Sequence, residues 1–149
     1  MRAPFQVLII PYKIVNKEIF YGVFLRKKQQ IWQFIAGGGE DNELPIETAV
    51  RELREETTIS VEKENIMQLE TKSTIPVVNI TGEFTWGENV FVVPEHTFAV
   101  DTDGNEIKLS SEHKEVIWVK YDEAKDNLKF DSNKTALWEL NEKLKRRKN

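Results

Sequence analysis

Three glutamates in the first half of the chain could bind a metal ion together. Glu52, Glu55 and Glu56 lie in residues 45–57, where apolar residues recur at helical spacing and predict a helix. At 100° per residue the three carboxylates fall within a sector of about 100°. Such carboxylates repel one another, whereas hard divalent cations such as Mg²⁺ favour them as oxygen ligands. A solvated acidic face, paired with Lys or Arg elsewhere, explains the same three residues equally well.

A run of three glycines, residues 37–39, precedes this helix. Glycine permits backbone conformations that other residues avoid and lets a ligand approach the backbone closely. A phosphate-binding P-loop would require Gly-Lys-Ser/Thr after the run, and Gly39 is followed by Glu40, so that motif is excluded. The glycines therefore favour a ligand site, without identifying the ligand by themselves.

The glycines and the acidic helix together form a longer pattern. It reads Gly37, five residues, Glu43, seven residues, Arg51-Glu52-Leu53, one residue, Glu55-Glu56, two residues, Ile59. This spacing resembles the signature of the Nudix hydrolases. The chain departs from the family at Thr58, where glycine is usual, and at Ile35 and Ala36, where Pro and Gly are often found.

The resemblance implies a metal site. Nudix hydrolases bind Mg²⁺ or Mn²⁺ through glutamates of this helix and a backbone carbonyl of the glycine segment. The implied ligands are Glu52, Glu55, Glu56 and the carbonyl of Ala36 or Gly37. Arg51 is expected to hold the segment and helix in register, through Glu43 across the loop or Glu47 one turn back.

The family's reaction is the attack of water on a phosphorus atom of a diphosphate, which also requires a base. Many members carry a further glutamate before a late strand, and Glu112 occupies the comparable place here. Glu112 is therefore predicted as the base or an outer metal ligand, with Glu115 and His113 as substitutes. Glu55 is the competing base, and an exposed loop charge is the alternative interpretation of Glu112.

Five stretches occur along nearly the whole chain in the order FLRK, IWQFIAGGGE, EETTIS, SSEHKEVIWV and FDSNKTALWEL. This order is similar to that of the dihydroneopterin triphosphate pyrophosphatases, which also act on dATP. That similarity implies release of pyrophosphate and a monophosphate from a nucleoside or pterin triphosphate. Dinucleoside polyphosphate hydrolysis is the alternative activity, and a non-catalytic nucleotide sensor a third, less favoured one. The residues predicted to contact substrate are Arg26, Tyr21, Trp32, Phe91 and Gly38, although aromatic residues on strands more often belong to the core.

The elements that would position these residues alternate along the chain. Periodicity predicts strands at residues 5–15, 18–26, 30–35, 66–78, 89–100 and 115–121, and a second helix at 132–145. Asp103-Gly104 predicts a hairpin turn before residues 107–109. The fold class is therefore α+β, and the resemblance implies an α/β/α sandwich with a mixed sheet and a catalytic helix at residues 45–57.

Length and composition set the remaining expectations. The 149 residues suit a single domain, 1–149, and the absence of cysteine excludes thiolate metal sites and disulfides. A net charge of −4 argues against a nucleic-acid polymer as partner. The N-terminal apolar run is too short for a signal peptide or membrane span, so a cytoplasmic location is expected. A monomer and a homodimer remain equally open.

Overall fold

A mixed β-sheet lies between helices on its two faces. The computed structural model describes residues 1–80, 84–86 and 88–147. Its strands are β1 (Arg2–Val15), β2 (Glu18–Arg26), β3 (Trp32–Gln33), β4 (Ile35–Glu40), β5 (Ile66–Pro76), β6 (Val92–Asp101) and β7 (His113–Val119). Its α-helices are α1 (Pro45–Thr57), α2 (Tyr121–Asn127) and α3 (Asp131–Arg147), and single 3₁₀ turns occupy Lys63–Asn65 and Val77–Asn79. No helix in these ranges is long and apolar enough to cross a membrane.

Strand β1 pairs with two different strands along one of its edges. Near its C-terminal end β1 pairs with β2, through Tyr12↔Tyr21, whereas from Ile9↔Ile35 towards the N-terminus it pairs with β4. On its other edge β1 runs parallel to β6, which in turn pairs with β5. β3 and β7 pair with β2 on either side. The exchange leaves the end of β2 separated from the N-terminal half of β1, and a cleft opens there.

Alternation along β1 divides the core into two layers. Leu8, Ile10 and Tyr12 face one side, where they pack with α3 and α2. Val7 and Ile9 face the other side, where they pack with Ala49 and Leu53 of α1 and their neighbours. The predicted α+β class and α/β/α sandwich are therefore confirmed, with the predicted helix at 45–57 on its own face of the sheet.

The differences from the predicted elements are local. The single strand expected at 30–35 is instead two strands, β3 and β4, and α2 was not predicted. The turn at Asp103-Gly104 forms, with positive φ at both residues, but the strand expected at 107–109 does not. Lys108 N–H instead donates to the Thr57 carbonyl at 3.0 Å, and Ile107 packs under α1. Burial against α1 thus prevents these residues from forming the second arm of a hairpin.

Candidate active site

Arg51 links α1 to the glycine strand and to three glutamates. Its Nη2 donates to the Gly38 carbonyl at 2.9 Å, and its Nε and Nη2 donate to the two carboxylate oxygens of Glu43 at 2.8 and 3.0 Å. Its Nη1 lies 3.0 Å from Glu52 Oε1 and 3.2 Å from Glu55 Oε2. The paired contact with Glu43 fixes the plane of the guanidinium, so Arg51 sets the position of the helix relative to β4.

Glu43 is held as a carboxylate at the entrance to α1. The hydrogen bond from Arg51 lowers its pKa to about 2, and bonds from the Thr48 hydroxyl and the Glu40 N–H add to this effect, against the opposing effect of burial. Of the two pairings predicted for Arg51, the structure contains the one with Glu43. Glu47 instead accepts a backbone N–H at the start of α1. Arg51 therefore links the glycine segment to the helix in the structure, as predicted.

Glu52 is a buried carboxylate pressed against the glycine strand. A Cβ atom built on Gly37 would overlap the Glu52 carboxyl group, so the side chain lies directly over the backbone of that residue. Burial, with the nearby carboxylates of Glu55 and Glu56, raises the pKa of Glu52 to about 7 against the lowering effect of Arg51. A bound cation would counter that desolvation, which makes this position suitable for a metal ligand.

Glu56 is buried on the same edge of α1, where it contacts Ser110 in the loop before β7 and His113 at the start of β7. The Ser110 hydroxyl donates to its Oε2 at 2.6 Å, and His113 Nδ1 lies 2.9 Å from the same oxygen. Burial favours a higher pKa, but the bonds from His113 and Ser110 outweigh it, so the pKa of Glu56 lies below its ordinary value. His113 is thus a neighbour of a predicted metal ligand, which was not its predicted role.

The two candidate bases occupy different environments. Glu112 lines the cleft together with Glu52, and its backbone is fixed because the Lys27 N–H donates to its carbonyl at 3.0 Å. The side chain of Glu55 is 51% exposed and contacts Arg51. Glu115, the predicted substitute, is exposed on β7 and is not among the described residues that line the cleft. The assignment of the base stays a prediction, and the geometry favours Glu112.

The three glycines are needed for space and not for backbone conformation. They lie in strand β4, and among the described glycines positive φ occurs at Gly104 alone. A Cβ atom would overlap the Glu52 carboxyl group at Gly37, the Arg2 guanidinium at Gly38 and the Phe5 ring at Gly39. The expectation of a glycine loop with unusual backbone conformations is therefore wrong. Each glycine accommodates one large side chain that crosses the strand.

The three carboxylates of α1 do not converge on one point. Among the described residues no group of three or more Asp, Glu or His side chains is arranged to hold a metal ion. Glu52 and Glu55 are turned to Arg51, and Glu56 is turned to Ser110 and His113. The donor set nevertheless suits Mg²⁺ or Mn²⁺, because carboxylates and a backbone carbonyl are hard oxygen ligands. The carboxylates of Glu52 and Glu56 are buried, and Glu52 lines the cleft.

The cleft has a volume of about 710 Å³ and extends from Glu52 and Glu112 to the start of α3. Arg26 and Gly38 line it, as expected for substrate contacts. Tyr21 does not, because its side chain is fully buried and its hydroxyl donates to Asn141 at 2.6 Å. The prediction that Tyr21 contacts substrate is therefore wrong.

Two other aromatic candidates also lie outside the described cleft lining. Trp32 packs against the core layer under α3, whereas its neighbours Ile31 and Gln33 line the cleft. The prediction that Trp32 contacts substrate stays untested. Phe91 is 76% exposed and immediately precedes β6, and its prediction stays untested.

Several cleft residues were missed by the sequence analysis. Arg2, Gln6, Gln33 and Glu95 all line the cleft, and Gln6 Nε2 donates to the buried Glu95 carboxylate at 2.8 Å. The alternation of β1 carried a signal for Gln6, since it shares a face with the apolar Leu8. No local pattern identified the others, because the cleft is assembled from strands distant in sequence.

Comparison with known proteins places this geometry in a family. The NUDIX domain model matches residues 17–138. A crystal structure from Listeria monocytogenes, assigned to a Nudix hydrolase, is 41% identical, covers 97% of each chain and superposes with a TM-score of 0.85. The dihydroneopterin triphosphate diphosphatase of Haemophilus influenzae is 26% identical over 107 residues, which cover 71% of this chain and 68% of the relative.

A second solved structure supports the fold. The dihydroneopterin triphosphate pyrophosphohydrolase of Escherichia coli covers 94% of this chain and 97% of its own, with a TM-score of 0.74 and 22% identity. At that identity the likeness concerns the architecture alone. The overall fold is therefore shared with this solved structure.

Proposed function

The chain belongs to the NUDIX domain family of hydrolases, and we propose that it splits a nucleoside triphosphate or dihydroneopterin triphosphate into a monophosphate and pyrophosphate with the aid of Mg²⁺ or Mn²⁺. Nudix hydrolases generally use divalent metal ions. The choice of metal, the residues that act and the substrate are parts of the proposal. They rest on the contacts within the cleft.

One observation carries the proposal. Glu52, buried and pressed against Gly37, faces the same cleft as Glu112, and Arg51 fixes the helix that supplies it. A buried carboxylate with a raised pKa is costly to maintain in an apolar setting. Binding of a cation together with a phosphate in the polar cleft would account for the position of Glu52.

The proposed metal ligands are Glu52, Glu55, Glu56 and the carbonyl of Ala36 or Gly37. When bound, the metal neutralises phosphate oxygens and lowers the pKa of a coordinated water. The protein contributes the rest of the arrangement. Arg51 keeps the ligand helix against β4. Ser110 orients Glu56 by a hydrogen bond, and His113 Nδ1 contacts the same carboxylate oxygen.

Glu112 is the proposed base that removes the proton from the attacking water. It lines the cleft, and its backbone is tied to β2 by the bond from Lys27 N–H. A base must lie within hydrogen-bonding reach of the proton that it abstracts. Glu55, which is half exposed and paired with Arg51, is the alternative, and the two residues can be separated by mutation.

The substrate class is supported by the chemistry of the lining. Amide side chains of Gln6, Gln33 and Asn133 line the cleft and can both donate and accept hydrogen bonds, as recognition of a heterocycle requires. Arg26 lines the same cleft and suits a phosphate. The curated relative from Haemophilus influenzae acts on dihydroneopterin triphosphate, which is consistent with this lining.

The test is a substrate panel in the presence of Mg²⁺ or Mn²⁺. Dihydroneopterin triphosphate, the deoxynucleoside triphosphates, diadenosine tetraphosphate and ADP-ribose are incubated with the protein, and products are identified by chromatography. The proposal expects a monophosphate and pyrophosphate from a triphosphate. Preferred cleavage of diadenosine tetraphosphate would instead favour the dinucleoside polyphosphate activity. Binding without turnover of any compound would favour a sensor.

Matched variants assign the residues. Glu56→Gln is expected to abolish turnover, whereas Glu115→Gln, an exposed glutamate on β7, is expected to leave it unchanged. Glu112→Gln is expected to lower kcat by roughly 10²- to 10⁴-fold with KM little altered, as for loss of a general base. If Glu55→Gln gives that result and Glu112→Gln does not, the roles of the two glutamates are exchanged.

A further inference from the structure

Two arginines in the cleft have buried side-chain nitrogens without a partner. Among the described residues, the Nε atoms of Arg2 and Arg26 are buried and make no hydrogen bond. Arginine stays protonated in proteins, so each Nε carries a donor that would be better satisfied by an acceptor. Buried unsatisfied donors are rare in native structures and call for an explanation such as a bound ion or ligand. Arg26 was expected to meet phosphate, whereas Arg2 was not.

Neither arginine has an ion-pair partner within the described part of the chain. Four carboxylates line the described cleft, those of Glu52, Glu95, Glu112 and Asp131, and none of them lies within ion-pair distance of Arg2 or Arg26. Glu52 is paired with Arg51, and Glu95 accepts hydrogen bonds from Gln6 and Ser73. Arg2 and Arg26 are the two basic residues among the described lining of the cleft. Both guanidinium groups are therefore available to bind an anionic ligand in the cleft.

Two contacts fix the position of Arg2, one at its side chain and one at its backbone. A Cβ atom on Gly38 would overlap the Arg2 guanidinium, so this side chain lies directly over the glycine strand. The backbone of Arg2 is fixed in turn, since Trp86 Nε1 donates to its carbonyl at 2.8 Å. A charged side chain fixed over a bare backbone in a cleft is preorganised for a ligand.

Resting on the function proposed above, we propose that Arg2 is a second phosphate-binding residue, which holds the polyphosphate of the substrate over Gly38 while Arg26 holds it from the end of β2. The missing side chain at Gly37 leaves room for Glu52, and the missing side chain at Gly38 leaves room for Arg2. Adjacent positions of one strand therefore accommodate a proposed metal-binding residue and a proposed phosphate-binding residue. Planar guanidinium groups match phosphate oxygens, so both arginines suit this role.

Binding of inorganic tripolyphosphate without metal tests the role of Arg2 separately from catalysis. Calorimetric titration in EDTA is made on the native chain, Arg2→Ala, Arg2→Lys and Arg146→Ala. Arg146 is an exposed arginine near the end of α3, and its loss makes the same change in net charge. We expect Arg2→Ala to weaken binding by roughly tenfold or more, Arg2→Lys to weaken it less, and Arg146→Ala to change it by less than about twofold.

Gly38→Ala provides a second route that leaves Arg2 in the chain. Its methyl group would displace the guanidinium, so this variant is expected to weaken binding as Arg2→Ala does. In the Arg2→Ala background the same change meets no guanidinium, and it should weaken binding little further, because the two effects share one interaction. Thermal melting of each variant confirms that it is folded.

Other outcomes overturn the inference. Native-like binding by both Arg2→Ala and Gly38→Ala, or no tripolyphosphate binding by the native chain, would each remove Arg2 from the phosphate site. Turnover in the substrate panel is measured on the same preparations. A protein that binds tripolyphosphate through Arg2 but hydrolyses nothing would leave this inference standing and refute the proposed function alone.

Discussion

Thr58→Gly is expected to stabilise the protein. Thr58 ends α1 in the left-handed conformation, with φ 65° and ψ 4°, and its N–H donates to the Arg54 carbonyl at 2.8 Å. A β-branched residue is strained in this region, where most helices place glycine. The side chain of Thr58 is exposed, so glycine removes strain without leaving a cavity.

The expected gain is the difference between two opposing effects. A left-handed conformation costs about 1–2 kcal/mol for a residue with a Cβ atom. Glycine returns about 0.5–1 kcal/mol of this as entropy of the unfolded chain. The net stabilisation is therefore about 0.5–1 kcal/mol, which for a chain of this length raises Tm by about 1–4 °C.

Urea and thermal unfolding measure the effect, with two neighbouring variants as controls. Thr58→Ala keeps a Cβ atom at positive φ and should give no comparable gain. Thr57→Val should destabilise, because the buried Thr57 hydroxyl donates to the Leu53 carbonyl at 2.6 Å and accepts the Ile59 N–H at 3.1 Å. An unchanged or lower urea midpoint for Thr58→Gly, at an unchanged m value, would refute the argument from strain.

Three further predictions concern the site. Millimolar Mg²⁺ or Mn²⁺ should raise the Tm of the native chain but not that of Glu56→Gln, because a ligand stabilises the state that binds it, and equal shifts would argue against the metal site. Gly37→Ala should abolish turnover while the protein stays folded by circular dichroism, because the methyl group would displace the Glu52 carboxylate. Glu43 has its pKa lowered from 4.5 to about 2, chiefly by Arg51, so its contribution to stability is present above pH 4.5 and is lost as the pH falls through about 2. Glu43→Gln should therefore be less stable at neutral pH and lose less stability over that acid range, as acid-unfolding curves would show.

The sequence predicted most where a local period coincides with burial. The helix at 45–57 was predicted with its observed bounds, and its apolar residues Ala49 and Leu53 are fully buried against the sheet. Strand β2 was also predicted with its observed bounds. Both elements have a strong local pattern that agrees with their environment in the fold, and such agreement is what makes a local signal reliable.

Predictions of substrate contacts were weaker because they depend on which face of a strand meets the cleft. Tyr21 was chosen for its residue type, yet its hydroxyl donates a hydrogen bond to Asn141 inside the core. Arg2 was overlooked since its role depends on Gly38, 36 positions later, having no side chain. Contacts between distant strands have no periodic signature in the sequence, so the structure was needed to identify them.

The reason for three successive glycines also changes once the structure is considered. In the sequence, the run indicates unusual backbone conformations and close approach of a ligand. In the fold it is a strand whose three glycines leave room for a carboxylate, a guanidinium and an aromatic ring in turn. Gly37 and Gly39 face α1, and Gly38 faces the cleft, as alternation requires. A single substitution in the run should therefore remove one function and leave the others. Gly37→Ala should act on the metal site, Gly38→Ala on phosphate binding, and Gly39→Ala on the packing of Phe5, which joins the core layer under α1. If all three substitutions cause the same loss, the run acts as one unit and the division of roles argued from the overlaps is wrong.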